Sequence, residues 1–374
     1  MTLISFLVAI VILVGFHEFG HYIVAKWCGV AVERFSIGFG PVLLRKKPNK
    51  PLGTEFVLSA IPLGGYVKMI DTRTHSNLNT EQIAHAFDQQ ALWKRSSVVA
   101  AGPFANFLLA FIFLFILYLS GPLQVKAVLD QPPENSIAAK AGLVDGDEVR
   151  GFAFLPKDSD GVDMSVEFTS IDSWNRLRWK LLRSIMSEQG FVLQVAHEGS
   201  GDTRVAFTHQ EIQSLHLKND MFSQLGLVLS KDNPLPTFHL DLSMTESISR
   251  SFERVQDITA VSALSIWSLL TGKASLNQIS GPIGIAGMAG QSANSGFTAY
   301  IGFLVLISIS LGLMNLLPLP MLDGGQLVFD FFELVRGKAV STEVREFTSK
   351  LGVLGILILT GIAVFNDLSR LFHG

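Results

Sequence analysis

The sequence is poor in charge and in cysteine, and both shortages narrow the class of protein. Charged residues make up 16% of the 374 residues, against about 25% in typical soluble domains. Cys28 is the single cysteine, so no disulfide can form within the chain. The formal net charge of −3 says nothing about nucleic acid by itself, and the sequence has no basic stripe that would suggest a nucleic-acid partner. With a mean hydropathy of +0.39, the composition indicates a membrane protein in contact with lipid.

Four long apolar segments predict four transmembrane helices, because a helix needs about 20 apolar residues to cross a bilayer. They are Met1 to about Val30, Val98 to Val125, about Phe297 to Leu322, and Leu351 to Phe365. The fourth is short and must extend into Val344–Lys350. No lysine or arginine precedes Glu18, so the first segment is expected to be retained rather than cleaved as a signal peptide. A fifth apolar stretch, Ile258–Gly272, follows a polar run with helical spacing and predicts an amphipathic surface helix.

Basic residues near the predicted spans set the expected orientation. Nine lysines and arginines follow the first span, and four lie between the third and fourth spans. Both loops are therefore predicted to be cytoplasmic, with the two termini and the long segment between the second and third spans on the other side. In this topology His17–His21 and the sequence LPMLDGG both lie at cytoplasmic ends of spans.

The first span contains the sequence HEFGH, which matches the pattern H-E-x-x-H. Residues four apart share one helix face, so His17 and His21 can bind one ion. Zinc suits imidazole ligands, and Glu18 beside them can take a proton from water. Satisfied core histidines are the alternative, but ionisable groups inside an apolar helix are costly and favour a functional role.

A catalytic zinc commonly has three protein ligands, and Asp323 is the best third candidate. It follows the third span in the sequence LDGG, at the same expected depth as the histidines. The alternative is a turn that ends the helix, for which Asp-Gly-Gly is well suited. Asp330 and Glu333 lie further along the chain and are not expected to be ligands.

Several longer motifs resemble the site-2 family of intramembrane zinc metalloproteases, and within it the regulator-of-sigma-E (RseP-type) proteases. They are GFHEFGHYIVAKWCGVAVERFSIGFGP, AIPLGGYVKM, FDQQALWKRSSVVAAGPFANFLLA, ISGPIGIAGMAG and LGLMNLLPLPMLDGGQL. The resemblance covers most of the chain. It places zinc ligands on His17, His21 and Asp323, the catalytic glutamate on Glu18, and a substrate-holding asparagine on Asn315.

Two elements could hold an unwound substrate, whose freed backbone groups find no partner in lipid. Gly53–Met69 is rich in β-forming residues, and Gly64-Gly65 could form a tight hairpin turn. Its edge could pair with the substrate, although an ordinary cytoplasmic hairpin is the alternative. Pro318 and Pro320 interrupt the third span and expose backbone near Asn315. Helix–helix hydrogen bonding is the alternative for Asn315, and it is the preferred interpretation for Asn106 in the second span.

The segment from Gln124 to about Pro236 has room for one PDZ domain, whereas the best-known RseP-type proteins carry two. Pro132–Phe152 resembles a PDZ motif, Ser173–Ile185 has the pattern of an amphipathic helix, and two strands follow. Such a domain could bind an extended peptide at a strand edge. A filter that excludes substrates with large external domains is slightly favoured, because no clear carboxylate-binding loop is present.

The predicted fold is a mainly α membrane protein with four transmembrane helices, a cytoplasmic membrane-associated β-hairpin and one extracytoplasmic PDZ-like α+β domain. The expected divisions are 1–123, 124–236, 237–296 and 297–374. The predicted function is zinc-dependent cleavage of transmembrane segments in the bacterial inner membrane. The resemblance implies pre-trimmed substrates such as anti-sigma factors, or remnant signal peptides, and a role in stress response. A non-catalytic PDZ-bearing receptor is the alternative, and a transporter is a further one.

Overall fold

The computed structural model describes residues 2–48, 52–75, 77–156, 166–197, 201–215, 221–230 and 235–373. These residues form two compact units, one made of 1–114 with 277–374 and the other of 115–276. Residues 157–165 and 198–200, within the segment expected to form one PDZ domain, fall outside the described residues.

In chain order, the first half of the chain contains these elements: α1 (Thr2–Trp27), β1 (Val32–Lys46), β2 (Glu55–Met69), α2 (Thr80–Ala84), α3 (Leu92–Leu119), β3 (Leu123–Val125), α4 (Ile137–Lys140), β4 (Glu148–Phe154), β5 (Thr169–Ser170) and α5 (Trp174–Met186). The second half contains β6 (Phe191–Ala196), β7 (Asp202–Phe207), α6 (His209–Gln213), α7 (Met221–Leu225), β8 (Thr237–His239), α8 (Met244–Leu270), α9 (Pro282–Asn294), α10 (Phe297–Leu316), α11 (Asp323–Arg336) and α12 (Thr342–His373).

Four helices of the described chain are long and apolar enough to cross a membrane: α1, α3, α10, and Glu343–Phe372 of α12. This confirms the predicted number of apolar spans and corrects their limits. α3 starts earlier than predicted, at Leu92, and α12 is twice the length of the apolar core of the predicted fourth span. α10 ends at Leu316 rather than continuing to Leu322, because Pro318 has no N–H to donate and its ring crowds the preceding turn.

Strands β1 and β2 form an antiparallel sheet with several register shifts. Residues 34–37 of β1 pair with residues 65–68 of β2 and also with residues 55–58. β2 must therefore bend back between these two segments. Gly65 is already paired with Ile37, so the bend lies between Leu58 and Gly65 and includes Gly64 but not Gly65. Both glycines lie within β2.

The unit 115–276 is an α+β structure with its own apolar core. Its main sheet has the strand order β5-β4-β6-β7, and each neighbouring pair is antiparallel. The rings of Phe152, Phe191 and Phe207 stack on one another, with centroid separations of 5.2 and 4.5 Å. α5 packs Leu177, Leu181 and Ile185 into this core, the apolar face that its sequence predicts.

Helix α8 belongs to the same compact unit and lies against α5. It covers the predicted amphipathic segment and begins at Ser243 with a capping box completed by Glu246. It is not among the four helices of the described chain with the composition of a membrane span. Its polar half faces α5 through ion pairs, as in Lys180–Asp257 at 2.9 Å.

Candidate active site

Two histidines on α1 lie side by side in the unit formed by 1–114 and 277–374. His17 and His21 are one helical turn apart, and their Nε2 atoms are 3.3 Å from each other. Both side chains are buried, at 7% and 8% exposure. The i, i+4 spacing places both rings on one face of α1, as the sequence predicts.

The carboxylate of Asp323 completes a three-residue cluster with these histidines. Its Oδ2 atom lies 3.3 Å from Nε2 of His17 and 3.5 Å from Nε2 of His21. One ligand atom from each residue lies within 4.8 Å of the others. The cluster offers two imidazole nitrogens and one carboxylate oxygen, a donor set that catalytic zinc sites use.

Asp323 reaches the histidines because the chain breaks between α10 and α11. α10 ends at Leu316, and a turn that contains Pro318 and Pro320 leads to Asp323, the first residue of α11. A carboxylate in the first turn of a helix also interacts favourably with the helix dipole. A Cβ on Gly324 would overlap the carbonyl oxygens of Leu316 and Leu317, so only glycine permits this tight approach.

Glu18 follows the first histidine and faces β2. The space beside it is narrow, because a Cβ on Gly65 would lie 3.1 Å from Cγ of Glu18. A cavity of about 340 Å³ joins Glu18 to the cluster, and it is lined by His17, Glu18, His21, Tyr66, Val67, Met69, Val99, Asn315, Met321, Leu322 and Asp323. The cavity therefore places a carboxylate outside the ligand cluster next to space for water and a peptide.

The other predicted site residues lie at different distances from this cavity. Asn315 lines it, and its Nδ2 atom is 3.4 Å from Nε2 of His17. Gly65 touches Glu18, whereas Gly64 lies against the ring of Phe39. Within the described chain, Pro318 and Pro320 shape the turn but are not among the cavity-lining residues.

Residues of helix α3 contact the two histidines, and these contacts are not predicted from the sequence. Nδ1 of His21 donates a hydrogen bond to the carbonyl oxygen of Val98 at 2.8 Å. Nδ2 of Asn106 lies 3.2 Å from Nδ1 of His17. Gly102, between these two residues, touches both rings. In the sequence, Val98, Gly102 and Asn106 are spaced four residues apart, as His17 and His21 are. This matching spacing is the sequence feature that could have indicated the contact between the two helices.

A cluster of two buried imidazoles and a partly buried carboxylate with an adjacent glutamate, in a chain whose described part contains four helices apolar enough to cross a membrane, defines the class of intramembrane zinc metalloproteases. The model of peptidase family M50 matches residues 5–359, and the chain belongs to this family. The predicted enzyme class, a site-2-type metalloprotease of membranes, is confirmed, and the receptor alternative is not favoured.

Curated bacterial relatives are similar along nearly their whole length. The regulator of sigma-E protease RseP of Escherichia coli is 31% identical over 461 aligned positions, which cover 99% of this chain and 98% of that protein. The regulator of sigma E protease of Haemophilus influenzae is 32% identical, with 98% of each chain covered. A Vibrio cholerae protein with the provisional name zinc metalloprotease is 33% identical, again with 98% of each covered. The 461 aligned positions exceed the 374 residues of this chain, so that relative carries additional segments.

Proposed function

We propose that His17, His21 and Asp323 hold a zinc ion and that Glu18 is the catalytic base for cleavage of transmembrane segments. The observation that carries the proposal is the convergence of these four groups on one cavity among apolar helices. An unpaired ionisable group among apolar helices costs free energy, so the cluster needs a bound partner that offsets this cost.

The donor set and its hydrogen bonds fit zinc. Nδ1 of His21 carries the proton that it donates to Val98, so its Nε2 atom presents a lone pair to the cluster. Asp323 adds an anionic oxygen within 3.5 Å of both Nε2 atoms. Zinc bound there would polarise the peptide carbonyl and make water acidic enough to lose a proton near neutral pH.

Glu18 performs the proton transfers in this proposal. It accepts a proton from the water that attacks the peptide carbonyl, and it passes that proton to the nitrogen of the departing amine. Glu18 is suited to both steps because it lines the cavity without belonging to the three-ligand cluster.

Substrate helices must be unwound before their peptide bonds can be attacked. Asn315 is proposed to bind the extended backbone through its amide, since it lies on the cavity wall beside His17. The strand containing Gly64 and Gly65 is proposed to pair with the substrate along its edge. Pro318 and Pro320 keep the neighbouring backbone irregular, which is tolerated in a membrane where it lines a cavity.

The charge pattern and the family support proposals for the membrane location, the orientation and the PDZ-like domain of the protein. The enzyme is proposed to reside in the bacterial inner membrane, with both termini and the PDZ-like domain on the periplasmic side. That domain, within 124–236, is proposed to act as a filter that admits pre-trimmed single-span proteins such as anti-sigma factors. Peptide binding at a strand edge is the second candidate role for this domain.

The test compares the wild-type full-length protein with Glu18→Gln in detergent, using a model single-span substrate and measuring bound zinc in both. The wild type is expected to cleave and the variant to bind zinc without cleaving. Asp323→Asn is expected to lose most of the zinc as well as the activity. Equal cleavage by wild type and Glu18→Gln would show that Glu18 is not the base. Wild-type protein that cleaves without zinc would overturn the metal assignment.

A further inference from the structure

Three residues of α3 form a row against the two histidines of α1. Val98, Gly102 and Asn106 are spaced four residues apart, so they share one face of their helix. The carbonyl of Val98 contacts His21, and the side chain of Asn106 contacts His17. Val98 and Asn106 therefore contact the Nδ1 atom of each ring, whereas Asp323 faces Nε2.

Gly102 makes this approach possible. A Cβ at this position would overlap Nε2 of His21 and lie 2.8 Å from Cε1 of His17. The two rings are therefore packed directly against the α3 backbone. Small displacements of α3 must move the imidazoles, and the contacts of their Nδ1 atoms must fix how the rings are turned.

The side chain of Asn106 has an unsatisfied atom at this place. Asn106 is fully buried, and its Oδ1 atom has no hydrogen-bond partner among the described residues. An unpaired buried amide oxygen is costly. The oxygen and nitrogen of an asparagine amide have nearly the same shape and are told apart by the donors and acceptors around them. The orientation of this amide therefore follows from the donor or acceptor role of the neighbouring His17 nitrogen.

The chemistry of a metal ligand decides that orientation. His17 faces Asp323 and His21 through Nε2, and a nitrogen that binds a metal must carry a lone pair. The proton of neutral His17 is then on Nδ1, which needs an acceptor. Turning the Asn106 amide by half a turn brings Oδ1 to Nδ1 of His17 at 3.2 Å as the acceptor of its proton. Nδ2 then takes the position that has no partner among the described residues, so the lone pair that His17 needs on Nε2, and not the number of hydrogen bonds, decides the orientation.

We infer that Asn106 is a positioning residue for the metal site: its Oδ1 atom accepts the Nδ1–H of His17 and fixes the tautomer that binds zinc through Nε2. The main-chain carbonyl of Val98 does the same for His21. This inference rests on the proposed function, because it concerns the same zinc site. Hydrogen-bond partners of this kind orient metal-binding histidines and raise their basicity.

The competing explanation is that Asn106 only helps to pack α3 against neighbouring helices. The packing contact with α10 and the contact with His17 use different atoms of Asn106, so they can be tested separately. The hydroxyl of Ser308 on α10 donates a hydrogen bond to the main-chain oxygen of Asn106 at 2.8 Å. That bond does not use the side chain of Asn106. Ser308→Ala therefore removes a buried contact between α3 and α10 at the same residue while leaving His17 untouched.

The experiment measures zinc affinity in full-length, detergent-solubilised protein by competition with a chelating dye. The proteins are wild type, Asn106→Leu, Asn106→Asp and Ser308→Ala. Asn106→Leu preserves approximate size but removes the acceptor, and we expect zinc binding to weaken about 10- to 100-fold. Asn106→Asp keeps an acceptor oxygen, and its affinity is expected within about threefold of wild type or tighter. Ser308→Ala is expected to bind zinc as wild type does.

The melting temperature of each zinc-free protein serves as the folding control. Wild-type affinity in Asn106→Leu, or an equal loss in Asn106→Asp and Asn106→Leu, overturns the inference. If Asn106→Leu does not fold, Asn106→Asp decides: retained affinity supports an acceptor role, and lost affinity overturns it. A wild-type protein that binds no zinc at this site refutes the proposed metal site itself, whereas failure confined to the Asn106 variants leaves that site intact.

Discussion

Ser96, near the start of α3, donates a hydrogen bond of 2.9 Å to the carboxylate of Asp330 on α11. Asp330 follows Asp323 by two helical turns and is 2% exposed. The guanidinium of Arg95 is bound to Glu333 one turn further along α11. α3, which contacts both histidines, is thereby joined to the helix that begins with the third member of the cluster. These contacts also explain what Asp330 and Glu333 do outside the metal cluster.

The Arg95–Glu333 pair yields a prediction about stability. Arg95 is buried, so Glu333→Gln leaves its charge without a counter-charge. Breaking a buried pair costs about 3–5 kcal/mol, and partial exposure of Glu333 places the expected loss at about 3 kcal/mol. Thermal unfolding in detergent should show a lower midpoint. Glu343→Gln, at an exposed position of α12, is the control, and an equal effect of both changes would contradict the prediction.

Gly102 yields a prediction about the metal site. The Cβ introduced by Gly102→Ala would overlap His21 and must displace the rings from their present positions beside Asp323. Misplacement by about 1 Å can cost roughly 100-fold in rate, so we expect at least a tenfold loss of cleavage together with reduced zinc content. The matched control is Gly302→Ala in α10, where no atom lies within 4 Å of an added Cβ. Normal zinc content and activity in Gly102→Ala would contradict the prediction, because the imidazole rings would then accommodate the added methyl group without loss of the site.

The parts of the site that could be predicted from the sequence are those set by local spacing. The spacing of His17 and His21 fixes their common face, and the expected depth of Asp323 predicts a position beside them, where the structure places its carboxylate. The sequence predicts helix–helix hydrogen bonding for Asn106, and its side chain does contact His17 of α1, but one sequence does not tell which residue of α1 it meets. The bend of β2 lies between Leu58 and Gly65 and so includes Gly64 of the predicted turn, and its limits could not be predicted because strand register depends on pairing with β1 as well as on turn residues.

Lys180 on α5 holds two carboxylates of α8 and yields a prediction for the unit 115–276. Its Nζ atom lies 2.7 Å from Glu253 and 2.9 Å from Asp257, and its side chain is 6% exposed. Lys180→Met keeps the apolar stem but removes the charge, and an estimated 2–4 kcal/mol of local stability should be lost. Hydrogen exchange of the α5 and α8 amides at pH 7 should become faster.

The control for Lys180 is Lys273→Met, since Lys273 pairs with Glu188 at an exposed position of the same unit. An exposed pair contributes about 0–1 kcal/mol, so exchange in α5 and α8 should stay close to wild type. Unchanged exchange in Lys180→Met would mean that apolar packing alone holds α8 to α5.

The acidic residues of this contact also set a pH dependence. Burial by itself would raise the pKa of Asp172, but the hydrogen bond from Arg250 and the charges of Arg250 and Arg176 outweigh it, so this pKa lies below its ordinary value. A group whose pKa is lowered by folding adds stability above its unfolded pKa, near 3.9, and loses it as the pH falls through the folded value. Asp172→Asn should therefore be less stable than wild type by about 1–2 kcal/mol at pH 7.

This difference should close in acid, because wild-type Asp172 becomes neutral there as well. We expect a constant gap in melting temperature between wild type and Asp172→Asn from pH 7 to about 5, which then shrinks below about pH 4. Both proteins are measured without zinc, so that loss of the metal in acid does not contribute to the gap. A gap that widens as the pH falls would mean that Asp172 is destabilising in its charged form, contrary to its pairing with Arg250.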